Sequence, residues 1–195
     1  IVELDRKLRR GAWVEHTTDT KAILGTPVPP LREMTLGIIG FGRIGSAVAE
    51  RMRPFGLRLL VSDPYVAEEV ITAAGAEPVA FAELLAESDI VTLHCPLTPE
   101  TRALIDAEAL ARMKPSSLLV NTARGPIVDL DALTAALAAG RLAGAALDVV
   151  YPEPTPIDAP LYHLPNVIVT PHAAYYSERS YEINRRETFV EVLTA

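Results

Sequence analysis

Short apolar runs alternate with longer amphipathic segments along most of this 195-residue chain. The apolar runs are continuous rather than alternating, a pattern typical of strands whose two faces are both covered by helices. Strands are predicted over residues 35–39, 57–61, 90–93, 118–121, 143–148 and 167–170. Helical segments lie between most of them, at 43–55, 67–74, 81–87, 106–113 and 129–139. Because strands joined by helices form right-handed crossovers, the sequence predicts an α/β fold with a doubly wound parallel sheet.

The two ends of the chain also have helical patterns, over 1–10 and 177–193, the second with Ser177 as its N-cap. The chain begins at Ile1 rather than Met and carries no signal peptide, so we expect it to be a piece of a longer protein. Within the central helix 43–55, the residues Ile44, Val48, Met52 and Phe55 are predicted to share one face.

Composition narrows the possible function classes. The net charge of −7 argues against nucleic-acid binding, which depends on neutralising phosphates. No apolar run approaches the roughly 20 residues that a membrane-spanning helix needs. The single cysteine, Cys95, excludes an internal disulfide and a cysteine-based zinc cluster. One cysteine fits a reducing compartment, and we expect a cytoplasmic protein without a metal site or a membrane partner.

A glycine-rich turn follows the first predicted strand. Gly40, Gly42 and Gly45 form a G-x-G-x-x-G run that opens a helix inside a βαβ unit, the context in which this motif binds a dinucleotide. Gly40 permits the tight turn, Gly42 lets the backbone approach the pyrophosphate, and Gly45 lets helix and strand pack closely. The amides of Arg43 and Ile44 then lie at the positive end of the helix. The sequence thus predicts a Rossmann-type nucleotide-binding domain.

Asp63 ends the strand that follows this helix. A carboxylate at that place accepts hydrogen bonds from the adenosine ribose and repels a 2′-phosphate. Pro64 and Tyr65 come next, and neither is a base that would hold such a phosphate. We therefore predict NAD rather than NADP as the cofactor. A flavin, another nucleotide or S-adenosylmethionine remains an alternative for the glycine turn alone.

Four further segments follow predicted strands at the ligand edge of the sheet. They are 94–98 (HCPLT), 121–125 (NTARG), 147–154 (LDVVYPEP) and 170–174 (TPHAA). Together with the glycine turn they resemble the D-isomer-specific 2-hydroxyacid dehydrogenases, over almost the whole chain. The segment 172–178 (HAAYYSE) is also similar to the C-terminal-binding-protein branch, whose members are corepressors, and to enzymes of the phosphoglycerate dehydrogenase type.

The resemblance implies a catalytic triad of Arg124, Glu153 and His172. Arg124 would grip the carboxylate of a 2-oxo acid and polarise its ketone. His172 would protonate the carbonyl oxygen while hydride arrives from the nicotinamide, and take the proton back in oxidation. Glu153 would orient the imidazole and favour its charged form.

The resemblance also implies further cofactor contacts outside the glycine turn. His94 would support the cofactor loop, Cys95 would line the nicotinamide pocket, and Asp148 would lie beside the carboxamide. The complete predicted set beyond the turn and Asp63 is Pro64, His94, Cys95, Pro96, Thr101, Thr122, Ala123, Arg124, Asp148, His172 and Ala174.

Family members have a second, substrate-binding domain, and the resemblance divides this chain accordingly. Residues 1–16 would end a helix that crosses between the domains, 17–174 would form the NAD-binding domain, and 175–195 would begin the return helix. The substrate domain would then be largely absent. A homodimer through the cofactor domain is expected, formed by the crossing helix and the arm over 17–30.

Two departures from the family pattern bear on function. Val150 and Tyr151 replace the Phe-Glu often found before the Pro-Glu-Pro segment, and Tyr175 would narrow the substrate pocket. The segment 173–178 motivates the alternative to a dehydrogenase, a nucleotide-sensing scaffold of the corepressor type with weak catalysis. A hydrolase of the adenosylhomocysteine type shares the glycine turn, but the Arg124, Glu153 and His172 set argues against it.

Overall fold

The computed structural model describes residues 2–12 and 29–194 of the chain. Seven strands in this part form one parallel sheet of order β3-β2-β1-β4-β5-β6-β7. The strands are β1 (Thr35–Ile39), β2 (Arg58–Ser62), β3 (Glu77–Pro78), β4 (Ile90–Leu93), β5 (Leu118–Asn121), β6 (Gly144–Leu147) and β7 (Val167–Val169). The helices are α1 (Val2–Arg9), α2 (Arg43–Met52), α3 (Glu68–Ala73), α4 (Phe81–Glu87), α5 (Ala107–Arg112), α6 (Leu130–Ala138) and α7 (Glu178–Thr194).

Buried side chains lie on both faces of the sheet. Successive side chains of a strand point to opposite faces. In β1, Leu36 and Ile38 belong to one apolar cluster, whereas Ile39 belongs to the other. The first cluster includes Ala49 of α2 and Ile71 of α3, and the second includes residues of α4, α5 and α6. This arrangement confirms the predicted doubly wound sheet.

The strand order reverses direction at β1, whose neighbours are β2 and β4. Ile39, the last residue of β1, pairs with Ser62 of β2 and with Leu93 of β4. The three turns that follow these strands therefore start at the same level on the carboxyl edge. A crevice at such a switch point is where open α/β sheets bind ligands.

Most predicted elements agree with the structure to within one or two residues. The exception among the strands is β3, which the sequence analysis did not predict because Glu77 and Pro78 form no apolar run. Helix boundaries follow local caps: Asp106 and Asp129 accept hydrogen bonds from the amides of Ala109 and Ala132, at 2.8 and 3.0 Å.

Helices α2 and α7 test two finer predictions. Ser177 caps α7 as predicted, since its Oγ accepts a hydrogen bond from the Ser180 amide at 3.0 Å. The predicted apolar face of α2 is wrong in part, because Ile44 and Phe55 are exposed. The side of α2 that packs inward contains Gly45 and Ala49, whose small size brings the helix close to the sheet. Among the helices described, none is both long and apolar enough to span a membrane.

Candidate active site

The glycine turn joins β1 to α2 and packs closely against the backbone of His94 and Cys95. Gly40 has φ +89°, and a Cβ there would lie 2.5 Å from the amide nitrogen of Cys95. A Cβ on Gly45 would lie 2.1 Å from the carbonyl oxygen of Gly40. A Cβ on Gly42 would meet nothing within 4 Å. The absence of a side chain at Gly42 thus leaves open space beside the backbone, which fits a phosphate group approaching the turn. The neighbouring Arg43 and Ile44 are exposed at the first turn of α2.

Asp63 holds the glycine turn from the next strand. Its Oδ2 accepts a hydrogen bond from the Phe41 amide at 2.7 Å, and its Oδ1 accepts one from the Tyr65 amide at 2.9 Å. The carboxylate is therefore fixed at the end of β2, next to the turn. Sequence reasoning assigned Asp63 to the ribose alone and missed this second role.

A cavity of about 530 Å³ lies beside the turn. Apolar side chains dominate its wall, and two carboxylates, those of Asp63 and Glu100, border it. The lining residues include Ile39, Gly40, Pro64, Val79, Phe81, Pro96, Thr101 and Leu104. A mostly apolar cleft with a carboxylate at its edge and an open glycine turn fits the adenosine part of a dinucleotide.

Cys95 and His94 form the turn after β4. Burial raises the pKa of the Cys95 thiol, and the nearby Asp63 charge adds to that effect, so the thiol stays protonated and is a poor nucleophile. Burial lowers the pKa of His94, whose Nε2 lies 3.0 Å from the Thr92 hydroxyl. Cys95 lines the 530 Å³ cavity together with Pro96, whereas His94 is not among its lining residues.

The Thr101 side chain stabilises the segment 96–101, which follows Cys95. Its hydroxyl donates to the Pro96 carbonyl at 2.6 Å and accepts from the Thr98 amide at 2.8 Å. These bonds close the 96–101 segment against the cavity. The structure thus places Thr101 at the predicted cofactor cleft.

The turn after β5 presents Arg124. The fully buried Asn121 shapes this turn, because its Oδ1 accepts from the Ala123 amide and its Nδ2 donates to the Arg124 carbonyl, both at 3.0 Å. Thr122 and Ala123, which lie between Asn121 and Arg124 in the chain, are half-buried. The Arg124 side chain is exposed, and its Nη1 donates to the Ala123 carbonyl at 2.6 Å. Sequence reasoning missed Asn121, although an Asn at a strand end is a signal for such a turn.

Glu153 and His172 meet across two loops. His172 Nδ1 lies 2.8 Å from Glu153 Oε1, and both side chains remain partly exposed. His172 has φ +52°, a left-handed conformation that is uncommon for a residue with a side chain. The ring of Tyr175 stands edge-on to the imidazole at 6.4 Å. The structure thus brings together two of the three predicted catalytic residues.

Asp148 holds the backbone that carries His172. Its carboxylate accepts hydrogen bonds from the amides of Ala173 and Ala174, each at 2.9 Å, and from the Thr170 hydroxyl. Its own carbonyl accepts from the His172 amide at 2.8 Å. Burial raises the pKa of Asp148, but the bonds from Thr170, Ala174 and Ala173 outweigh it and leave the pKa lowered. Asp148 is therefore an anion that anchors the turn after β7.

A second cavity, of about 720 Å³, adjoins the Glu153–His172 pair. Asp148, Glu153 and His172 border it, and its remaining wall is largely apolar, with Val150, Ile157, Leu161, Val167 and Val169. In the described part of the chain, no group of three or more His, Cys, Asp or Glu side chains is placed to hold a metal ion.

The fold and the edge of the sheet define a dinucleotide-binding domain with a histidine–carboxylate pair on the same edge as the glycine turn. The family model of the NAD-binding domain of D-isomer specific 2-hydroxyacid dehydrogenases matches residues 1–174. The chain therefore belongs to this family, and NAD is the cofactor of the domain, as predicted.

Curated and solved relatives agree with this assignment. The chain is 47% identical over 180 residues to a glyoxylate reductase of Korarchaeum cryptofilum, covering 92% of this chain and 53% of that protein. It is 42% identical over 172 residues to a D-3-phosphoglycerate dehydrogenase of Mycobacterium leprae, covering 88% and 31%. A crystal structure of D-lactate dehydrogenase from Aquifex aeolicus, complexed with NAD and lactic acid, superposes with a TM-score of 0.84 at 35% identity, covering 100% and 61%.

The chain spans about half the length of the first of these relatives and about a third of the second. The predicted division into residues 1–16, 17–174 and 175–195 stays a prediction. Helices α1 and α7 lie where crossing and return helices were expected. Residues 13–28, which hold most of the predicted dimer arm, lie outside the described residues.

Proposed function

We propose that this chain is the cofactor-binding part of an NAD-dependent dehydrogenase that interconverts a 2-oxo acid and a 2-hydroxy acid of D configuration. The observation that carries the proposal is the His172–Glu153 pair, with 2.8 Å between Nδ1 and Oε1, on the same sheet edge as the glycine turn. A proton donor and a dinucleotide cleft on one edge are the two requirements of ketone reduction with a nicotinamide.

Each catalytic side chain has a chemical task in this proposal. When bound, the reduced nicotinamide supplies the hydride to the carbonyl carbon. Arg124, exposed at the end of β5, binds the substrate carboxylate with its planar set of N–H donors. His172 donates the proton to the carbonyl oxygen from Nε2, because Nδ1 faces Glu153. Glu153 stabilises the imidazolium and fixes the ring.

The cofactor contacts are proposed from the cleft geometry. The amides of Arg43 and Ile44 at the start of α2 would hold the pyrophosphate, and Asp63 would bind the adenosine ribose. Asp63 and Glu100 make the cleft anionic, which supports NAD over NADP. Asp148 and Ala174 meet at 2.9 Å and are assigned to the nicotinamide side. Thr122 and Ala123 complete that side beside Arg124.

The oligomeric state, the location in the cell and the second domain of the protein are also proposals. A homodimer through the cofactor domain and a cytoplasmic location follow from the family resemblance and the single cysteine. A separate substrate-binding domain would close the site over Arg124 and exclude water during the reaction.

A substrate screen with NADH tests the function. We expect the full-length protein, with the proposed substrate-binding domain, to oxidise NADH with at least one small 2-oxo acid, such as glyoxylate or pyruvate, and expect Arg124→Ala to abolish that turnover. NADH binding by the full-length protein without turnover on any 2-oxo acid would refute the dehydrogenase proposal. If NADH then changed oligomeric state or partner binding, the scaffold alternative would be favoured.

A further inference from the structure

Gly125 is the point at which the turn after β5 touches the loop after β6. A Cβ built on Gly125 would lie 2.2 Å from the Val150 carbonyl oxygen, 2.3 Å from the Val150 carbonyl carbon and 2.8 Å from the Tyr151 amide nitrogen. All three are backbone atoms, so no side-chain rotation relieves the overlap. Only a glycine lets these two backbones pack at this distance.

Backbone hydrogen bonds hold the turn that contains Gly125 in place. The Ala103 amide donates to the Pro126 carbonyl at 2.9 Å, and the Ile105 amide donates to the Ile127 carbonyl at 3.0 Å. The Ile127 side chain is fully buried. A larger residue at 125 would therefore displace the opposite backbone, at Val150 and Tyr151.

The opposite backbone leads directly to Glu153. Pro152 and Pro154 flank Glu153, and their rings fix two backbone dihedrals of this short segment. The Thr155 hydroxyl donates to the Pro152 carbonyl at 2.8 Å and closes the segment on itself. A displacement at Tyr151 is therefore passed to Glu153, and through the 2.8 Å contact to His172.

Gly125 also follows Arg124 in the chain. We propose that Gly125 is a positioning residue that sets the distance between the Arg124 guanidinium and the Glu153–His172 pair. It acts through the Val150–Tyr151 backbone and touches no reacting atom. The inference rests on the proposed function for its effect on rate, whereas its effect on the His172–Glu153 contact is independent of it.

The test compares Gly125→Ala with Gly144→Ala. Gly144 lies at the other end of β6, where a Cβ would meet the Asn166 carbonyl oxygen at 2.7 Å, so Gly144→Ala introduces a milder backbone clash far from Val150. We expect Gly125→Ala to lower kcat about 10²-fold, the loss that a misplacement of about 1 Å causes. Its dissociation constant for NADH should be unchanged. The imidazole nitrogen chemical shifts of His172, read by NMR, should move in Gly125→Ala and stay in Gly144→Ala.

Unchanged kcat and unchanged His172 shifts in a folded Gly125→Ala protein would overturn the proposal, as would equal changes in Gly144→Ala. If Gly125→Ala does not fold, Tyr151→Gly decides, because Tyr151 is exposed and a glycine there loosens the backbone that Gly125 contacts without adding a clash. Moved His172 shifts in Tyr151→Gly would support the proposal and unmoved shifts would overturn it. If the unsubstituted protein reduces no 2-oxo acid, the proposed function fails, and the His172 shifts still decide whether Gly125 positions the pair.

Discussion

His172 and Glu153 form a hydrogen-bonded pair, with 2.8 Å between Nδ1 and Oε1, although they are 19 residues apart in the chain. Glu153 stands in the loop after β6 and His172 in the turn after β7, and Asp148 at the end of β6 holds that turn through its carboxylate. With Nδ1 paired to Glu153, Nε2 is the ring nitrogen left for a substrate.

Replacing His172 should remove proton transfer and leave the cofactor cleft intact. We expect His172→Ala to lower the rate of 2-oxo acid reduction roughly 10²–10⁴-fold, the contribution of a positioned general acid. The NADH dissociation constant should change little, since the glycine turn and Asp63 need no imidazole. Steady-state kinetics and an NADH titration measure both quantities. His163→Ala, at the exposed end of the short 3₁₀ helix Pro160–His163, is the matched control, and near-normal turnover in His172→Ala would exclude His172 from the mechanism.

Replacing Glu153 should lower the rate without changing cofactor binding. Its Oε1 lies 2.8 Å from His172 Nδ1, so Glu153→Gln replaces a charged hydrogen-bond partner of the imidazole with a neutral one. We expect 2-oxo acid reduction to slow about tenfold or more, because a hydrogen bond to a charged group contributes about 1.5–3 kcal/mol. Steady-state kinetics and an NADH titration measure both quantities. An unchanged rate would leave Glu153 with a structural role only.

Removing the charge of Asp63 should relax the cofactor preference. A 2′-phosphate at contact distance from a carboxylate is disfavoured by about 1–4 kcal/mol, so neutralisation should raise the NADP/NAD affinity ratio about tenfold or more. Asp63→Asn keeps an acceptor for the Phe41 amide, whereas Asp63→Ser shortens the side chain and should also weaken NAD. Calorimetric titration with both cofactors separates the two effects. Equal NAD and NADP affinity in the unsubstituted protein would contradict the prediction.

Asp148 should stabilise the fold in a pH-dependent way. Its pKa is lowered from 3.8 in the folded chain, so its stabilisation is complete above that value and declines as the pH falls below it. Asp148→Asn loses one of the amide bonds from Ala173 and Ala174, and we expect a cost of about 1–3 kcal/mol at pH 7. The difference in unfolding free energy between the unsubstituted protein and Asp148→Asn should be smaller at a pH below 3.8 than at pH 7. Denaturant titrations at these two pH values check this, and Asp158→Asn, at an exposed position, is the control.

Self-association is the expected oligomeric behaviour. The prediction rests on the resemblance to family members that dimerise through the cofactor domain, and residues 13–28, which hold most of the predicted arm, lie outside the described residues. Light scattering should give a dimer mass at micromolar protein concentration. A monomer mass throughout that range would contradict the predicted homodimer.

The cofactor half of the site was predictable because its signals are local. Gly40, Gly42 and Gly45 provide the tight turn, the close packing and the start of the helix. Each of these features depends on residues that are neighbours in the chain. Asp63 follows as the end of the next apolar run. Strand and helix positions came from apolar periodicity, which burial in a doubly wound sheet imposes on each segment separately.

The remaining features depend on contacts between distant segments, which only the tertiary structure decided. Strand β3 has no apolar run of its own and forms because β2 offers it an edge. Helix α2 turns Gly45 and Ala49 inward because these small residues let its backbone approach the sheet closely. Likewise the bonds of Asp148 and the contact of Gly125 with Val150 exist because β5, β6 and β7 end side by side. Local pattern named the candidate residues of the site, and the parallel register of the sheet set the distances between them.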